Sequence, residues 1–523
     1  MEIAASRTDR LAALREPRPW EMLIIGGGAS GLGAAVDAAA RGYRTLLVEA
    51  RDFAAGTSSC STKLIHGGVR YLRQGDFALV RNALRERSYL LRNAAHLVHP
   101  LAFVIPAWNA VDRVVYSAGL KLYDVLSGNH TLSASRSLNR QEVIAALPGL
   151  RRAGLCGGVR YWDGQFDDAR LAITLMRTAT DLGATCLNYL PLTGLLKAGG
   201  RITGARLRDA ETGEEFEIAT RVVTNATGVH ADSVRRLDDP AVAPLLTPSQ
   251  GIHLVVDADF LPGRQALMIP ETEDGRVMFA IPWQGKVLLG TTDTPRPELA
   301  RLDDPQPLAT EIDFLLRTAT KVLTRPPARA DIRSVFAGLR PLIHPDSTDH
   351  RTTAALSREH AVLVSASGLV TLAGGKWTTY RLMAEDAVTR AAEVAGLRAE
   401  PCPTRTLKLH ACPAAASNDV YGTDAPLLAA LPGQDRLLHP ALPCSEAMVR
   451  FAIRHEAAHT IEDVLARRTR ALFLDAAAAA TTIERVAEIF ADELGLTPEK
   501  VATMIASARE NARRFMPAPL PTG

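Results

Sequence analysis

The sequence has no long apolar run. Apolar residues make up 47% of the 523 positions and mean hydropathy is +0.02, yet no uninterrupted stretch nears the ~18 residues a transmembrane helix needs. Contact with a bilayer would therefore be made from its surface. Cysteine is scarce: Cys60, Cys156, Cys186, Cys402, Cys412 and Cys444 form no CxxC pair. A disulfide framework is excluded for a chain of this size, and reduced thiols in a cytosolic compartment are expected. Charge of one sign is lacking too. Sixty basic residues face 57 acidic ones, a net +3, and no DNA- or RNA-binding motif is present, so nucleic acid is not an expected partner. The opening "MEIAASRTDRLAALREPRPW" has no apolar core and carries Glu2, Asp9 and Glu16, so it reads as neither secretory signal nor transit peptide. No internal repeat occurs, and Ala476 to Ala480 is only a good helix-forming run.

The length predicts two or three domains around a large core. The first informative stretch is "EMLIIGGGASGLGAAVDAAARGYRTLLVEA". Met22 to Ile25 reads as a buried strand, Ala34 to Ala40 as helix, and Thr45 to Val48 as a second strand ending at Glu49. Gly26, Gly28, Ser30 and Gly31 lie at the turn between strand and helix. There glycines admit a pyrophosphate to the helix N-terminus, whose dipole favours the anion. Glu49 follows about twenty residues on, placed to accept hydrogen bonds from ribose hydroxyls. The unit binds a dinucleotide. Two later segments choose between FAD and NAD: "RVVTNATGVHADSV" turns at Ala226 and Gly228, and "GLVTLAGGKWTTYRLMAEDAV" repeats strand, glycine turn and helix at Gly375, Lys376 and Thr378. A cofactor domain built from three separated pieces of chain favours FAD.

These stretches, with "RDFAAGTSSCSTKLIHGGVRYL", "YWDGQFDDARL", "IPWQGKVLLGTTDT" and "AGLRPL", resemble in order the FAD-dependent sn-glycerol-3-phosphate dehydrogenases, the quinone-linked aerobic type, from about Trp20 to the C-terminal "EDVLARRTR". The resemblance implies an α/β fold, α+β overall. A Rossmann-like FAD-binding domain (20–85, 156–236 and 343–396) carries an inserted mixed β-sheet substrate domain (86–155 and 237–342), and a helical C-terminal domain follows (401–523). Helical spacing of apolar residues covers 446–470 and 476–494. The implied activity is oxidation of glycerol 3-phosphate to dihydroxyacetone phosphate, with hydride passing to FAD and electrons to a membrane quinone. The alternatives are an oxidase using dioxygen and an amine or amino-acid oxidase of the same fold.

Residue by residue, the resemblance places Thr57, Ser58, Ser61, Lys63, Leu64, His66 and Gly67 around the flavin, and Arg70 and Tyr71 towards the substrate. A phosphate dianion beside a flavin calls for permanent cations with fork geometry. Arg70, Arg340, Arg358 and Lys376 occupy matching positions. His253 is the first choice of base, and Arg340 can instead polarise the reacting oxygen. The implied location is cytoplasmic, peripheral on the inner face of the membrane, and a homodimer is left open. Two segments are expected at the bilayer: Phe77, Val80, Leu84 and Leu91 with Arg81, Arg85, Arg87 and Arg92, and Tyr116, Leu120 and Tyr123 beside Lys121.

Two readings compete. "HEAAH", His455 to His459, is a literal HExxH, but a zinc site needs a third ligand, for which only Glu484 offers itself, so no metal is expected. A regulatory flavoprotein without chemistry has no use for the cluster of Arg70, Arg340, Lys376 and His253.

Overall fold

The structure is a computed structural model and describes residues 7–68, 72, 75–273, 275–299, 301–344, 360–414 and 419–517. Met22–Ile25 and Thr45–Val48 are buried at every position and pair in parallel, Met22 opposite Thr45 and Ile25 opposite Val48. A strand apolar throughout needs cover on both faces, and both are covered. Met22 and Ile24 pack on helices Ala29–Ala40, Asp168–Asp181 and Tyr380–Ala395. Leu23 and Ile25 point the other way, onto an antiparallel three-stranded sheet, Leu192–Ala198, Arg201–Arg208 and Glu215–Ala219. The central sheet has six strands, in the order His360–Val364, Val370–Gly374, Val223–Asn225, Met22–Ile25, Thr45–Val48, Thr185–Leu187. Three separated stretches of chain build it.

A second, 10-stranded sheet lies alongside. Leu246–Asp257 is its spine, pairing with Ser334–Ile343 and with Lys286–Gly290. Val98–Ala107 pairs along its whole length with Gly157–Phe166, and Leu64–Ile65 adds to the far side of Gly157–Phe166. This corrects the expected domain limits. Leu64–Ile65 and Gly157–Phe166, expected in the cofactor domain, hydrogen-bond in the second sheet, and the chain returns to the first sheet only through helix Asp168–Asp181. The backbone of 157–166 has its ladder partner in 98–107, and that partnership decides its sheet.

Several residues expected at the bilayer are buried instead. Helix Phe77–Asn93 buries Val80, Leu84 and Arg87, and helix Ala110–Ser127 buries Leu120 and Tyr123. These residues belong to the core, with Arg87 paired to Asp163 at 2.6 Å. Among the described residues no helix is long and apolar enough to cross a membrane.

The C-terminal region is helical but more broken than its periodicity predicts. Glu446–His455 and a π-helical turn Asp463–Arg468 occupy the first expected span, Ala471–Leu474 falls between the spans, and Ala476–Ala480 and Ile483–Leu494 occupy the second. Arg467 and Arg468 converge on the buried Asp52 carboxylate, at 2.5 and 2.6 Å, three residues past Glu49. Helix Glu446–His455 ends at the HExxH motif: Glu456 turns inward to Arg170 at 2.7 Å, while His459 pairs with Glu211 at 2.7 Å. The two histidines share no ligand, and among the described residues no group of three or more metal-binding side chains forms.

Candidate active site

A cleft of about 710 Å³ opens where the carboxyl ends of the central strands meet the second sheet, in the size range of cofactor sites. At its inner end Gly26 adopts φ +111°, and a Cβ there would sit 2.7 Å from the Ala226 carbonyl. The first and second cofactor segments touch through bare backbone. Gly28 is the N-cap of helix Ala29–Ala40, and the Ala29 amide donates to Ser58 Oγ at 2.9 Å. A Cβ on Gly31 would lie 1.9 Å from the Gly26 carbonyl oxygen. Gly31 therefore serves helix–turn packing behind the wall.

Glu49 is held by backbone. Its Oε2 accepts from the Gly27 amide at 2.6 Å and its Oε1 from the Arg51 amide at 2.9 Å. Arg51, which sequence reasoning missed, donates to the Asp303 carbonyl at 3.0 Å and brings the 302–305 loop over this end of the cleft. Thr57, Ser58, Ser61, Leu64 and His66 line the middle with Ser30, Ala226, Gly228, Gly375, Lys376 and Thr378. Thr57 Oγ1 donates to the Leu339 carbonyl at 2.6 Å, and Trp377 Nε1 donates to the Ser58 carbonyl at 2.9 Å. The loop after Gly56 is thereby clamped between the second sheet and the third cofactor segment.

Besides Gly31, two expected cofactor contacts do not line the cleft. Lys63 is fully buried, donating from Nζ to Asp168 and to the Ser59 carbonyl, both at 2.6 Å. Burial lowers its pKa to about 8 against the pull of Asp168. Asp168 also accepts from the Ser61 amide and hydroxyl, at 2.9 and 2.7 Å, and from Arg470 at 3.1 Å. Lys63 supports the loop from behind because its compact ammonium finds a buried carboxylate there. Gly67 likewise faces inward, its amide bonded to Tyr123.

At the other end stand His253 and Arg340. His253 is 2% exposed, stacks on Phe336 at 5.0 Å and pairs through Nε2 with Thr62 Oγ1 at 3.0 Å. Burial, then the charges of Lys63 and Arg340, hold its pKa well below the ordinary histidine value. It is neutral at physiological pH. Its buried Nδ1 has no hydrogen-bond partner among the described residues. Arg340 approaches Asp293 at 3.3 Å and donates to Thr291 Oγ1 and the Thr292 carbonyl, each at 3.0 Å. Its terminal nitrogen would lie 2.4 Å from a Cβ on Gly251. The "SQGIH" glycine, whose role was not read from sequence, makes room for the guanidinium. Thr62 and Asp293 were also missed, although both stand in the quoted stretches, because their partners His253 and Arg340 lie far away in sequence. Arg70, Tyr71 and Arg358 lie outside the described residues.

The wall suits a dinucleotide on structural grounds: side-chain-free backbone at Gly26 and Gly28, a carboxylate at one end, a cation and a neutral imidazole at the other. The profile of the FAD dependent oxidoreductases matches residues 21–381, and that of the C-terminal domain of alpha-glycerophosphate oxidase matches 368–501. A probable mitochondrial glycerol-3-phosphate dehydrogenase of Caenorhabditis elegans is 38% identical over 96% of this chain and 74% of its own. The chain belongs to the FAD-dependent glycerol-3-phosphate dehydrogenase family. The human mitochondrial family member is 37% identical over 97% of this chain and 75% of its own. The FAD complex of the Bacillus halodurans glycerol-3-phosphate dehydrogenase superposes with a TM-score of 0.80 at 29% identity, covering both chains fully. An L-alpha-glycerophosphate oxidase of Mycoplasma pneumoniae shares the fold over 75% of this chain and 98% of its own, with a TM-score of 0.57 at 17% identity. FAD is the cofactor of this family member, and the three glycine-turn segments that line the cleft are the residues that fit it.

Proposed function

We propose that the protein oxidises sn-glycerol 3-phosphate to dihydroxyacetone phosphate and passes the electrons to a membrane quinone. The observation that carries this reading is the pairing of a permanent cation, Arg340, with a buried neutral imidazole, His253, at one end of a cofactor cleft. Relatives at 37–38% identity named glycerol-3-phosphate dehydrogenase support the substrate. Bound FAD supplies a hydride acceptor. The chain's own groups do the rest. Neutral His253 takes the hydroxyl proton as the C2 hydride leaves, and Arg340 steadies negative charge developing on the oxygen. Lys376 in the cleft holds the phosphate, with Arg70, Tyr71 and Arg358 assigned to the same task.

A quinone dissolves in lipid, so the enzyme must reach the headgroup layer. Helix Ala110–Ser127 offers the surface. Val111, Val114, Val115, Leu122 and Val125 are 70, 66, 58, 41 and 75% exposed, fall on one helical face, and have exposed Lys121 among them. An apolar stripe with a cation suits an anionic bilayer surface. On this reading the protein is peripheral, on the inner face of the cytoplasmic membrane. Anaerobic addition of glycerol 3-phosphate to the yellow holoprotein should bleach the flavin, and a quinone analogue should restore the colour faster than air. Flavin that stays oxidised with glycerol 3-phosphate but bleaches with an amino acid would overturn the proposal.

A further inference from the structure

Gly67 is buried immediately after His66, which lines the cleft. The two residues are gripped from opposite sides. On the cofactor side Thr378 Oγ1 accepts from the His66 amide at 3.2 Å and donates to the His66 carbonyl at 3.3 Å. On the other, the Gly67 amide donates to Tyr123 Oη at 2.9 Å. That phenol is itself fixed. Its single proton goes to the Asp163 carboxylate, 2.8 and 3.0 Å from the two oxygens. Asp163 in turn receives Arg87 at 2.6 Å, and Arg87 also donates to the His130 carbonyl at 2.8 Å. Tyr123, Asp163 and Arg87 are each no more than 2% exposed.

A phenol has one proton and acceptor capacity besides. With the proton committed to a carboxylate, the oxygen presents a lone pair to Gly67, and charge-assisted bonding stiffens the chain of donors. Burial, then the charge of Asp163, pushes the Tyr123 pKa well above its ordinary value, so the hydroxyl keeps its proton. The backbone is pressed onto it: a Cβ on Gly67 would lie 2.5 Å from Tyr123 Oη and 2.8 Å from Leu84 Cδ2. Arg87 reaches one oxygen of Asp163, and the phenol reaches both. What the phenol adds is a grip on one amide of the cleft wall.

We propose that Tyr123 is a positioning residue of the flavin site, setting the His66–Gly67 wall against Thr378 and Lys376. This rests on the FAD-dependent oxidation of glycerol 3-phosphate proposed above. Tyr123 touches neither cofactor nor substrate. It acts through Gly67, and a small displacement of a wall is costly where reacting groups must align.

The test compares Tyr123→Phe with Tyr161→Phe. Tyr161 is a buried neighbour, ring centroids 6.3 Å apart, whose hydroxyl donates to Met268 Sδ at 3.3 Å. Tyr123→Phe should raise KM for glycerol 3-phosphate by about tenfold, reshape the flavin absorption envelope and weaken FAD retention, with kcat changed far less. Tyr161→Phe should leave all three as in wild type. Asp163→Asn is the second variant: it keeps an acceptor for the phenol, so KM and the flavin envelope should stay nearer wild type than in Tyr123→Phe even if the protein melts earlier. Unchanged KM and flavin envelope in Tyr123→Phe, or equal changes in Tyr161→Phe, would overturn the inference. If wild type fails to oxidise glycerol 3-phosphate, the functional reading falls while the flavin envelope and FAD retention still judge Tyr123.

Discussion

At the scale of single residues, the chemistry depends on Arg340 and His253 sharing one end of the cleft. Each acts on the other. The guanidinium is one of the two charges that depress the histidine pKa, behind burial itself, and its forked donors suit an anionic substrate. Arg340→Ala removes a charge-assisted contact worth about 1.5–3 kcal/mol, so kcat/KM should fall about 10- to 150-fold while FAD stays bound. It should also move the pH profile. The base must be neutral, so activity falls as pH drops through the histidine pKa. Deleting a nearby cation raises that pKa, and the acid limb should shift towards higher pH. Steady-state rates followed from neutral pH down to the lowest pH at which both proteins stay folded decide this, because the wild-type limb lies well below the ordinary histidine range. An unmoved acid limb would remove His253 from the role of base.

At the scale of elements, the fingerprint glycines divide their labour, and the division can be measured. The Cβ of an alanine at 28 would meet only the Ser58 side chain, Oγ at 3.0 Å, whereas one at 31 would press to 1.9 Å from the Gly26 carbonyl. A hydroxyl can rotate away, but a carbonyl in a packed turn cannot. Gly28→Val should therefore give a folded, colourless protein, because a side chain fills the pyrophosphate's approach. Gly31→Ala should lower the melting temperature as well, by several degrees if the clash costs ~1–3 kcal/mol. Thermal melts read beside the flavin-to-protein absorbance ratio separate the two effects. A yellow Gly28→Val protein would mean that the cofactor avoids this turn.

At the scale of the molecule, the helical C-terminal region is fastened to the flavin-side core through charge. Arg467 and Arg468 reach Asp52, and Arg470 reaches Asp168, all inside the protein. Breaking one partner of such a buried pair is strongly destabilising, so the region behaves as part of the catalytic body. Helix Ala110–Ser127 carries exposed valines. Replacing Val111 and Val115 together with Asp should abolish cosedimentation with anionic liposomes while turnover with a water-soluble acceptor stays within about twofold, since surface changes away from packed sites are mild. Sedimentation equal to that of wild type would show that another surface meets the lipid.

The sequence by itself determined what is local in the chain. The strand, glycine turn, helix and Glu49 of the dinucleotide unit lie within some thirty residues, and their spacing alone specifies a turn that only bare backbone can make. Gly375, Lys376 and Thr378 repeat the logic, and the order of the motifs carried the family. Tertiary structure decided whatever depends on partners far away in sequence. Lys63 supports the cleft from behind because Asp168, 105 residues on, is buried beside it. His253 gains Thr62 across 191 residues, and Gly157–Phe166 joins the second sheet because its ladder partner is there. Helix Ala110–Ser127 is apolar on more than one side, so periodicity offered two faces and could not choose between them. The core took Leu120 and Tyr123 and left the valines to solvent, because burial is settled by what a helix packs against.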